Sequence, residues 1–456
     1  MIFALMMACV QIEPAGQVHR PGTADVDALA FAGIETATWD GADGLSATWT
    51  PGTSGADILY ELEISQEGQI LQGIETDFIE LSVSGLADGE YSLRVIATSG
   101  DARPQDGGRS LHLYIGENRL IFRSNEFFED AGDVWGEGDI VVATARHEAS
   151  LLIYDVSDPA KPVQLGRIED MGYTKDVKIG DGLLFVQGEC GCSDIPDGGL
   201  YYDHVGIRIF DFADPANPVL LAEIADEPRS IHNLSYGDHT LFASDNTTDM
   251  MLVFDVSDPT DPVQINEWLP PMGIVHDQAY VDGLVYVAAW RGFAILDASD
   301  PGNLTERVWQ GGLVAVHNIW PSEDGQLVFI THETQAGGMD VWDVSNPDDV
   351  FQVATYDPYE WTSVHNVLIR GDVAYLSYYQ AGLEVLDISD PSQPTRIGWF
   401  DTWGFEDHPV IEGHTHAEGL FSGNWGVWPY GDHVAATDTG HGLFVFDFAP
   451  ASVSAD

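Results

Sequence analysis

A short strand signature recurs along the last three quarters of this chain and constrains its fold more than any other feature. Each copy has an apolar pair, an Asp, another apolar residue, Ser or Ala, and then Asp-Pro, or Asn-Pro in one copy. The last copy lacks the turn after its apolar residue. The first aspartates of the seven copies are Asp155, Asp211, Asp255, Asp297, Asp343, Asp387 and Asp447.

The spacing of these aspartates indicates a repeat architecture. Successive copies lie 56, 44, 42, 46, 44 and 60 residues apart. The complete unit at 363–400 predicts four strands, at 364–369, 373–379, 383–388 and 395–400, separated by Gly-, Asp- and Pro-containing turns. A period of 40 to 50 residues with four strands per unit is typical of a β-propeller. The sequence therefore predicts an all-β chain with a seven-bladed propeller over 116–456.

The last copy ends without a fourth strand, whereas 118–124 (NRLIFRS) forms an isolated strand pattern just before the first copy. Closing the ring non-covalently would remove two exposed sheet edges. We therefore expect strand 118–124 to complete the last blade.

The region before the repeats divides into three segments, 1–9, 10–30 and 31–115, for which we expect different roles. Residues 31–115 carry short alternating strands at the spacing of a small β-sandwich, after a polar linker at 10–30. The piece LADGEYSLRVIA at 86–97 resembles the penultimate strands of a fibronectin type III domain, which implies a spacer. Residues 1–9 end in LMMAC, which resembles a bacterial lipobox with Cys9 as the lipidated residue. The resemblance implies an exported lipoprotein at the cell surface or in the periplasm.

The repeats themselves resemble the LVIVD family of bacterial surface propellers. The copies of the signature given above carry this resemblance, and 401–448 resembles the last blade of exported lipoproteins in that family. This resemblance implies the propeller fold over roughly 330 residues. It implies no reaction, because the family has no general assigned activity.

Charge and cysteine content exclude some partners. The chain has 74 acidic and 17 basic residues and a net charge of −57, which repels nucleic acid and anionic lipid. No run of 18 apolar residues is present, so contact with a membrane is expected only through the lipid anchor. With three cysteines, disulfides cannot hold the fold together.

The first candidate site is a recurring dipeptide at the start of the inner strands: His232-Asn233, His276-Asp277, His317-Asn318 and His365-Asn366. Asp133 and Asp176 occupy the second position in the first two units. Four imidazoles around one channel mouth suit Zn, Cu, Fe or Mn. Alternatively, a dipeptide repeated in every unit serves the repeat itself, by bonding backbone between blades.

Further candidates lie in loops expected on the same face. The second-to-third strand loops carry His147, His332, His441 and Cys190 and Cys192 with His204. The cysteines could form a disulfide, bind metal as thiolates, or stay free, and export favours oxidation. A longer loop within 401–423 carries His414 and His416, whose alternation suits chelation, although ordinary hydrogen bonding is an equal alternative. Asp-rich turns offer oxygen ligands to Ca²⁺ but lack the spacing of a dedicated loop.

Three functions remain open on these patterns. We favour a surface protein that binds a protein, a glycan or a metal-linked ligand on the propeller face. The alternative is a metal-dependent hydrolase or oxidase, with Asp277 or Glu333 as general base on a metal-bound water. The third is a structural scaffold of the cell envelope. The sequence contains no phosphate-binding glycine loop, no GxSxG and no HExxH.

Overall fold

The computed structural model describes an all-β protein. The described residues are 34–39, 44–49, 51–52, 58–66, 69–76, 80–84, 89–99, 110–115, 119–146, 148–189, 206–225, 229–403 and 422–448. Within these ranges the only helical element is a 3₁₀ turn at Pro301–Asn303, and no helix is long and apolar enough to cross a membrane.

The N-terminal strands form two antiparallel sheets. One has the order β1 (Ile34–Trp39), β2 (Gly44–Trp49), β5 (Glu80–Ser84), and the other has the order β4 (Gln69–Thr76), β3 (Ile58–Gln66), β6 (Gly89–Ser99), β7 (Ser110–Ile115). Trp49, Tyr60, Leu62 and Leu93 are buried between strands of the two sheets. The fibronectin resemblance of this region stays a prediction.

The rest of the chain forms antiparallel meanders in which each strand pairs with the next. Three four-stranded sheets contain β9 (Ala131–Glu137), β10 (Ile140–Ala145), β11 (Ser150–Asp155) and β12 (Val163–Ile168); β13 (Val177–Gly180), β14 (Leu183–Gly188), β15 (Gly206–Asp211) and β16 (Val219–Ile224); and β17 (Ile231–Gly237), β18 (Thr240–Asp245), β19 (Met250–Asp255) and β20 (Val263–Trp268).

The following sheet has seven strands, because one strand belongs to two meanders. Its strands are β21 (Asp277–Val281), β22 (Leu284–Ala288), β23 (Trp290–Asp297), β24 (Thr305–Pro321), β25 (Leu327–His332), β26 (Met339–Asp343) and β27 (Phe351–Tyr356). The 17-residue β24 is the outer partner of β23 and then the inner partner of β25. Since this strand joins two units into one sheet, the count of seven blades stays a prediction.

Two four-stranded sheets complete this region. One contains β28 (Val367–Arg370), β29 (Val373–Ser377), β30 (Leu383–Asp387) and β31 (Thr395–Phe400), and the other contains β32 (Asn424–Tyr430), β33 (His433–Asp438), β34 (Gly442–Phe448) and β8 (Leu120–Glu126). In the last sheet, β8 pairs antiparallel with β34, with Phe122 opposite Phe446. The Phe122 ring also stacks on Phe400 with centroids 5.3 Å apart, so β8 packs on the neighbouring sheet as well.

Hydrogen bonds in the turns explain the recurring signature. The Asp387 carboxylate accepts a hydrogen bond from the Ser389 amide at 2.9 Å, and Asp390 accepts one from the Ser392 amide at 3.0 Å. Asp155, Asp255, Asp297 and Asp343 make the same bond to the residue two positions later. These carboxylates accept hydrogen bonds from turn amides that have no partner on a neighbouring strand. The same residues therefore recur at each turn.

The inner strand of the unit at 363–400 begins later than the sequence predicts. We expect a strand over 364–369, whereas β28 runs from Val367 to Arg370. The His365 amide donates to the Ser377 carbonyl at 2.7 Å, and the Ser377 amide donates to Asn366 at 2.9 Å. The backbone thus stays paired but irregular before β28, because the side chains of this segment bond to neighbouring sheets.

Candidate functional site

Four histidine side chains stand side by side around the centre of the sheets. The ring centroids are 4.3 Å apart between His232 and His276, between His276 and His317, and between His317 and His365. Trp425 continues the row, at 4.4 Å from His365. Each of these histidines comes from a successive repeat unit, so the units each contribute one ring to a single row, and the seven-stranded sheet contributes both His276 and His317.

The hydrogen bonds of three of these rings determine their tautomer. Nδ1 of His276 lies 3.2 Å from the carbonyl oxygen of His317, Nδ1 of His317 lies 2.8 Å from that of His365, and Nδ1 of His365 lies 2.7 Å from that of Trp425. A carbonyl oxygen only accepts, so Nδ1 donates in each case. Nε2 of each neutral ring is therefore left with its lone pair.

Burial keeps these rings uncharged. Burial, assisted by the neighbouring ring histidines, holds the pKa of His276 and of His365 well below the usual value. Burial also lowers the pKa of His317, although Glu333 acts in the opposite direction. Neutral imidazole is the form that binds metal, so all three rings are in the ligating state at neutral pH.

His232 differs from the other three rings. Its Nδ1 lies 3.0 Å from Oε1 of Glu189, and Oε2 of Glu189 lies 3.0 Å from Nζ of Lys175. Asn246 donates a further hydrogen bond to Glu189 at 2.9 Å. Burial alone would raise the pKa of Glu189, but Lys175 and His232 outweigh it and lower that pKa. This end of the row is therefore held by a buried ion pair.

At two ring positions the residue after the histidine, Asp277 or Asn318, joins inner strands of successive repeat units. The Asn318 amide group donates to Asp277 at 2.7 Å, and its oxygen accepts from the Val367 backbone amide at 3.0 Å. Asp176 accepts from the Leu234 amide at 2.6 Å in the same way. The contacts between repeat units thus use Nδ1 of His276, His317 and His365 together with the Asn or Asp that follows. Nε2 of these three rings takes no part in these contacts.

Acidic side chains outnumber basic ones along the channel. Asp133, Asp176 and Asp277 line the cavity with Lys175 and Lys178, and Glu189 and Glu333 contact the histidine row. The Lys178 ammonium group pairs with Asp176 and lies 3.5 Å from Asp133. Burial raises the pKa of Asp133 well above its usual range and that of Asp277 to about 6. The five acidic groups outnumber the two lysines, and the raised pKa of Asp133 reduces the negative charge that this count implies.

Tryptophans line the channel beside the carboxylates. The Trp135 ring lies 4.4 Å from Trp428 and 6.2 Å from Trp320, centroid to centroid, and Lys178 lies 4.3 Å from the Trp135 ring. Trp135 and Trp320 belong to non-neighbouring sheets, so their contact crosses the channel and narrows it. The remaining cavity measures about 590 Å³, including space open to solvent.

The structure brings two of the histidines together with a carboxylate. His276, His317 and Glu333 offer ligand atoms that all lie within 4.8 Å of one another, and Nε2 of His317 is 3.6 Å from Oε1 of Glu333. Glu333 follows β25, and the Tyr379 hydroxyl donates a hydrogen bond to its Oε1. This group combines nitrogen and oxygen donors in a buried position.

Other predicted site residues lie elsewhere or outside the described residues. Both nitrogens of His332 are engaged, Nδ1 with the Val314 carbonyl at 2.8 Å and Nε2 with Asp340 at 2.9 Å, so this ring is not part of the row. His441 bonds to Asp438 at 3.1 Å. Outside the described residues lie Cys9, His147, Cys190, Cys192, His204, His414 and His416.

Sequence reasoning did not single out several residues of the site. Glu189, Tyr379 and Trp425 show no pattern across the repeats that would mark them. Lys175 and Lys178 do carry a signal, because the chain has three lysines in all and two of them line this channel. Lys175 pairs with Glu189 and Lys178 pairs with Asp176, so both channel lysines have a buried carboxylate as partner.

Three of the repeats match a known family profile. A family profile described as the LVIVD repeat matches residues 130–170, 273–308 and 363–402. No curated protein matches the chain.

Solved structures are similar at low sequence identity. A chain of the Mitotic Checkpoint Complex is 14% identical with a TM-score of 0.50, over 71% of this chain and 89% of that one. A functionally unknown protein from Desulfotomaculum acetoxidans is 15% identical with a TM-score of 0.48, over 69% and 93%. A protein from Lactobacillus plantarum is 12% identical with a TM-score of 0.49, over 63% and 84%. At these identities only the fold is compared. The chain therefore contains LVIVD repeats and has an all-β, propeller-like fold.

Proposed function

We propose that this protein is a binding protein whose central channel receives a positively charged ligand group. The observation that carries the proposal is the charge of the channel. Five acidic side chains line it or contact its histidine row, against two lysines, and the ionised excess is smaller than this formal difference of three because burial raises the pKa of Asp133. A cationic group would supply the missing positive charge, and buried charges are stable only when they are paired.

The walls of the channel favour binding without rearrangement. Asp277 accepts a hydrogen bond from Asn318 of the same sheet, and Asp176 accepts one from the Leu234 amide of the neighbouring sheet, so their positions do not depend on the ligand. The Trp135 and Trp320 rings line the same cavity, and Lys178 lies over the Trp135 ring. A lysine or arginine side chain of a protein partner, or an amino sugar of a glycan, would bring the required charge.

The remaining predictions place this binding protein in the cell envelope. We propose that residues 1–9 direct export, that Cys9 carries a lipid anchor, and that the region 31–115 acts as a fibronectin-like spacer beneath a seven-bladed propeller. The support is the lipobox-like LMMAC sequence and the repeat pattern. Loss of membrane attachment in Cys9→Ala, with unchanged expression, is the expected result, whereas an unchanged membrane fraction would contradict the anchor.

Calorimetric titration with defined cations tests the binding proposal. The probes are spermidine and N-acetyl-arginine amide, with citrate as an anionic control, in about 1 M salt, where the Debye length falls to about 3 Å and surface attraction is screened. We expect the cations to bind and citrate not to bind.

A matched pair of variants separates the channel from the acidic surface. Asp277→Asn removes a buried carboxylate of the channel, and Asp255→Asn removes an exposed one from a turn, so both change the net charge equally. Losing one buried charge partner costs about 2 kcal/mol or more, so Asp277→Asn should weaken binding by at least about tenfold. Equal effects of the two substitutions, or no binding of either cation, would overturn the proposal.

A further inference from the structure

We propose that His276, His317 and Glu333 form a binding site for one divalent transition-metal ion. The inference rests on the proposed function, because the same excess of negative charge attracts the ion, and it names the cation and its ligands. Nε2 of His276, Nε2 of His317 and a carboxylate oxygen of Glu333 are the proposed ligand atoms.

The distances suit a single ion. Two ligand atoms that each lie about 2.1 Å from one metal ion can be at most about 4.2 Å apart. The Nε2 atom of His317 and Oε1 of Glu333 are 3.6 Å apart, and all three ligand atoms lie within 4.8 Å of one another. Small side-chain rotations therefore bring the group to ligating distances, without movement of the strands.

The surroundings of the ligands are those that metal sites use. A ligating histidine normally donates its other ring N–H to a carbonyl or carboxylate, which fixes the tautomer and the ring orientation. His276 and His317 both donate Nδ1–H to a backbone carbonyl. Glu333 is held in turn by the Tyr379 hydroxyl. Two ligands are thus aligned by the fold itself, and the third by a buried tyrosine.

Backbone strain around the same group supports a functional role. Three non-glycine residues with positive φ contact the ligands: Trp290 at 55°, Ala315 at 51° and Tyr379 at 38°. The Trp290 ring lies 5.3 Å from that of His276, and the Ala315 carbonyl accepts the Glu333 amide at 2.9 Å. Such conformations cost about 1–3 kcal/mol each and cluster at functional sites, where the surrounding structure maintains them.

The donor set selects the class of ion. Two imidazole nitrogens and one carboxylate suit Zn²⁺, Fe²⁺, Co²⁺ or Mn²⁺, whereas Ca²⁺ and Mg²⁺ prefer oxygen ligands. Glu333, which the sequence suggests as a general base, is here a ligand. His365 makes the same Nδ1 bond and stacks on His317, but it is not part of the three-residue group.

Titration of the chelator-treated full chain with Zn²⁺ and with Co²⁺ tests this site. A large excess of Mg²⁺ is present throughout, so that the many exposed carboxylates are occupied by a hard cation. We expect one ion per chain, with the visible absorption of Co²⁺ reporting nitrogen ligands. His317→Ala and Glu333→Gln should each weaken binding by more than about 100-fold, beyond the effect of losing an outer hydrogen-bond partner.

His433→Ala is the control, since it deletes a ring that bonds Asp447 outside the histidine row. It should leave the affinity for Zn²⁺ unchanged, and circular dichroism should show all variants folded; if His317→Ala does not fold, Glu333→Gln alone decides. Absence of Zn²⁺ and Co²⁺ binding, or equal loss in folded His433→Ala, overturns the assignment. Spermidine binding that persists without metal binding would leave the proposed function standing and remove only this site.

Discussion

Replacement of Glu189 by Gln removes the centre of a buried charge cluster. In the folded protein, Glu189 accepts hydrogen bonds from His232 and Asn246 and pairs with Lys175 at 3.0 Å. Its side chain is 10% exposed and that of Lys175 is 21% exposed. The substitution keeps the shape of the side chain but leaves the lysine charge without its partner.

The expected cost follows from that burial. Breaking a buried ion pair by removing one partner destabilises a protein by about 3–5 kcal/mol, because the remaining charge stays desolvated. Glu148→Gln is the matched control: Glu148 pairs with Arg167 at 2.6 Å, but the two side chains are 39% and 33% exposed. For an exposed pair the cost is about 0–1 kcal/mol.

The cost should depend on pH in one direction. Lys175 and His232 lower the pKa of Glu189 in the folded protein despite its burial, so the folded state binds the proton more weakly than the unfolded chain. Stability from Glu189 is therefore present above the unfolded pKa of about 4.3 and is lost as the pH falls toward the folded value. The difference between wild type and Glu189→Gln should shrink in acid.

Urea unfolding followed by tryptophan fluorescence measures these differences. Wild type, Glu189→Gln and Glu148→Gln are compared at pH 7 and at several values below the unfolded pKa. Differences between proteins at each pH isolate Glu189 from the titration of the other carboxylates. A loss below about 1 kcal/mol at pH 7, equal to that of Glu148→Gln, would refute the ion-pair reasoning.

Three other substitutions, the first with a control, test separate contacts. Asn318→Ala leaves Asp277 and the Val367 amide without their partner and should cost about 2–4 kcal/mol. Asn233→Ala, at the same repeat position, should cost less, because among the described residues Asn233 makes its hydrogen bonds through backbone atoms; equal losses in urea unfolding would contradict this. Phe122→Ala should cost about 3–5 kcal/mol, since this ring packs on Phe400, Phe444 and Phe446, and a change below about 1 kcal/mol would show that β8 is dispensable. Tyr379→Phe should weaken Zn²⁺ binding about 10–100-fold and cost about 1–3 kcal/mol of stability, because the Glu333 carboxylate loses this hydroxyl, and unaltered affinity would remove the tyrosine from the site.

Local patterns were sufficient to predict the strands. The turn at Asp387 and Asp390 is made by side chains bonding their own backbone two residues on, so it can be recognised without any distant partner. The predicted strand at 395–400 coincides with β31, whereas the inner strand was placed three residues too early. The difference arises because the His365 side chain bonds to the Trp425 carbonyl in another sheet, so the regular strand begins only at Val367.

The site was predictable only in part. The recurring dipeptide identified His276 and His317 as neighbours in a ring, since equal positions in successive repeats must meet around the centre. It could not separate them from His232 and His365, which share the motif. That distinction depends on Glu333 and Glu189, which come from loops and strand ends where the repeats differ.

The sequence by itself determined the all-β fold, the repeat and the residues that face the centre, because hydrogen bonding in turns and the alternation of strands act over a few residues. Only the tertiary structure decided which histidine nitrogen remains available and which carboxylate approaches it. Those properties depend on a carbonyl of the next repeat unit and on a glutamate that follows another strand. Such partners are distant in sequence, and no local pattern specifies the angle or distance at which two sheets meet.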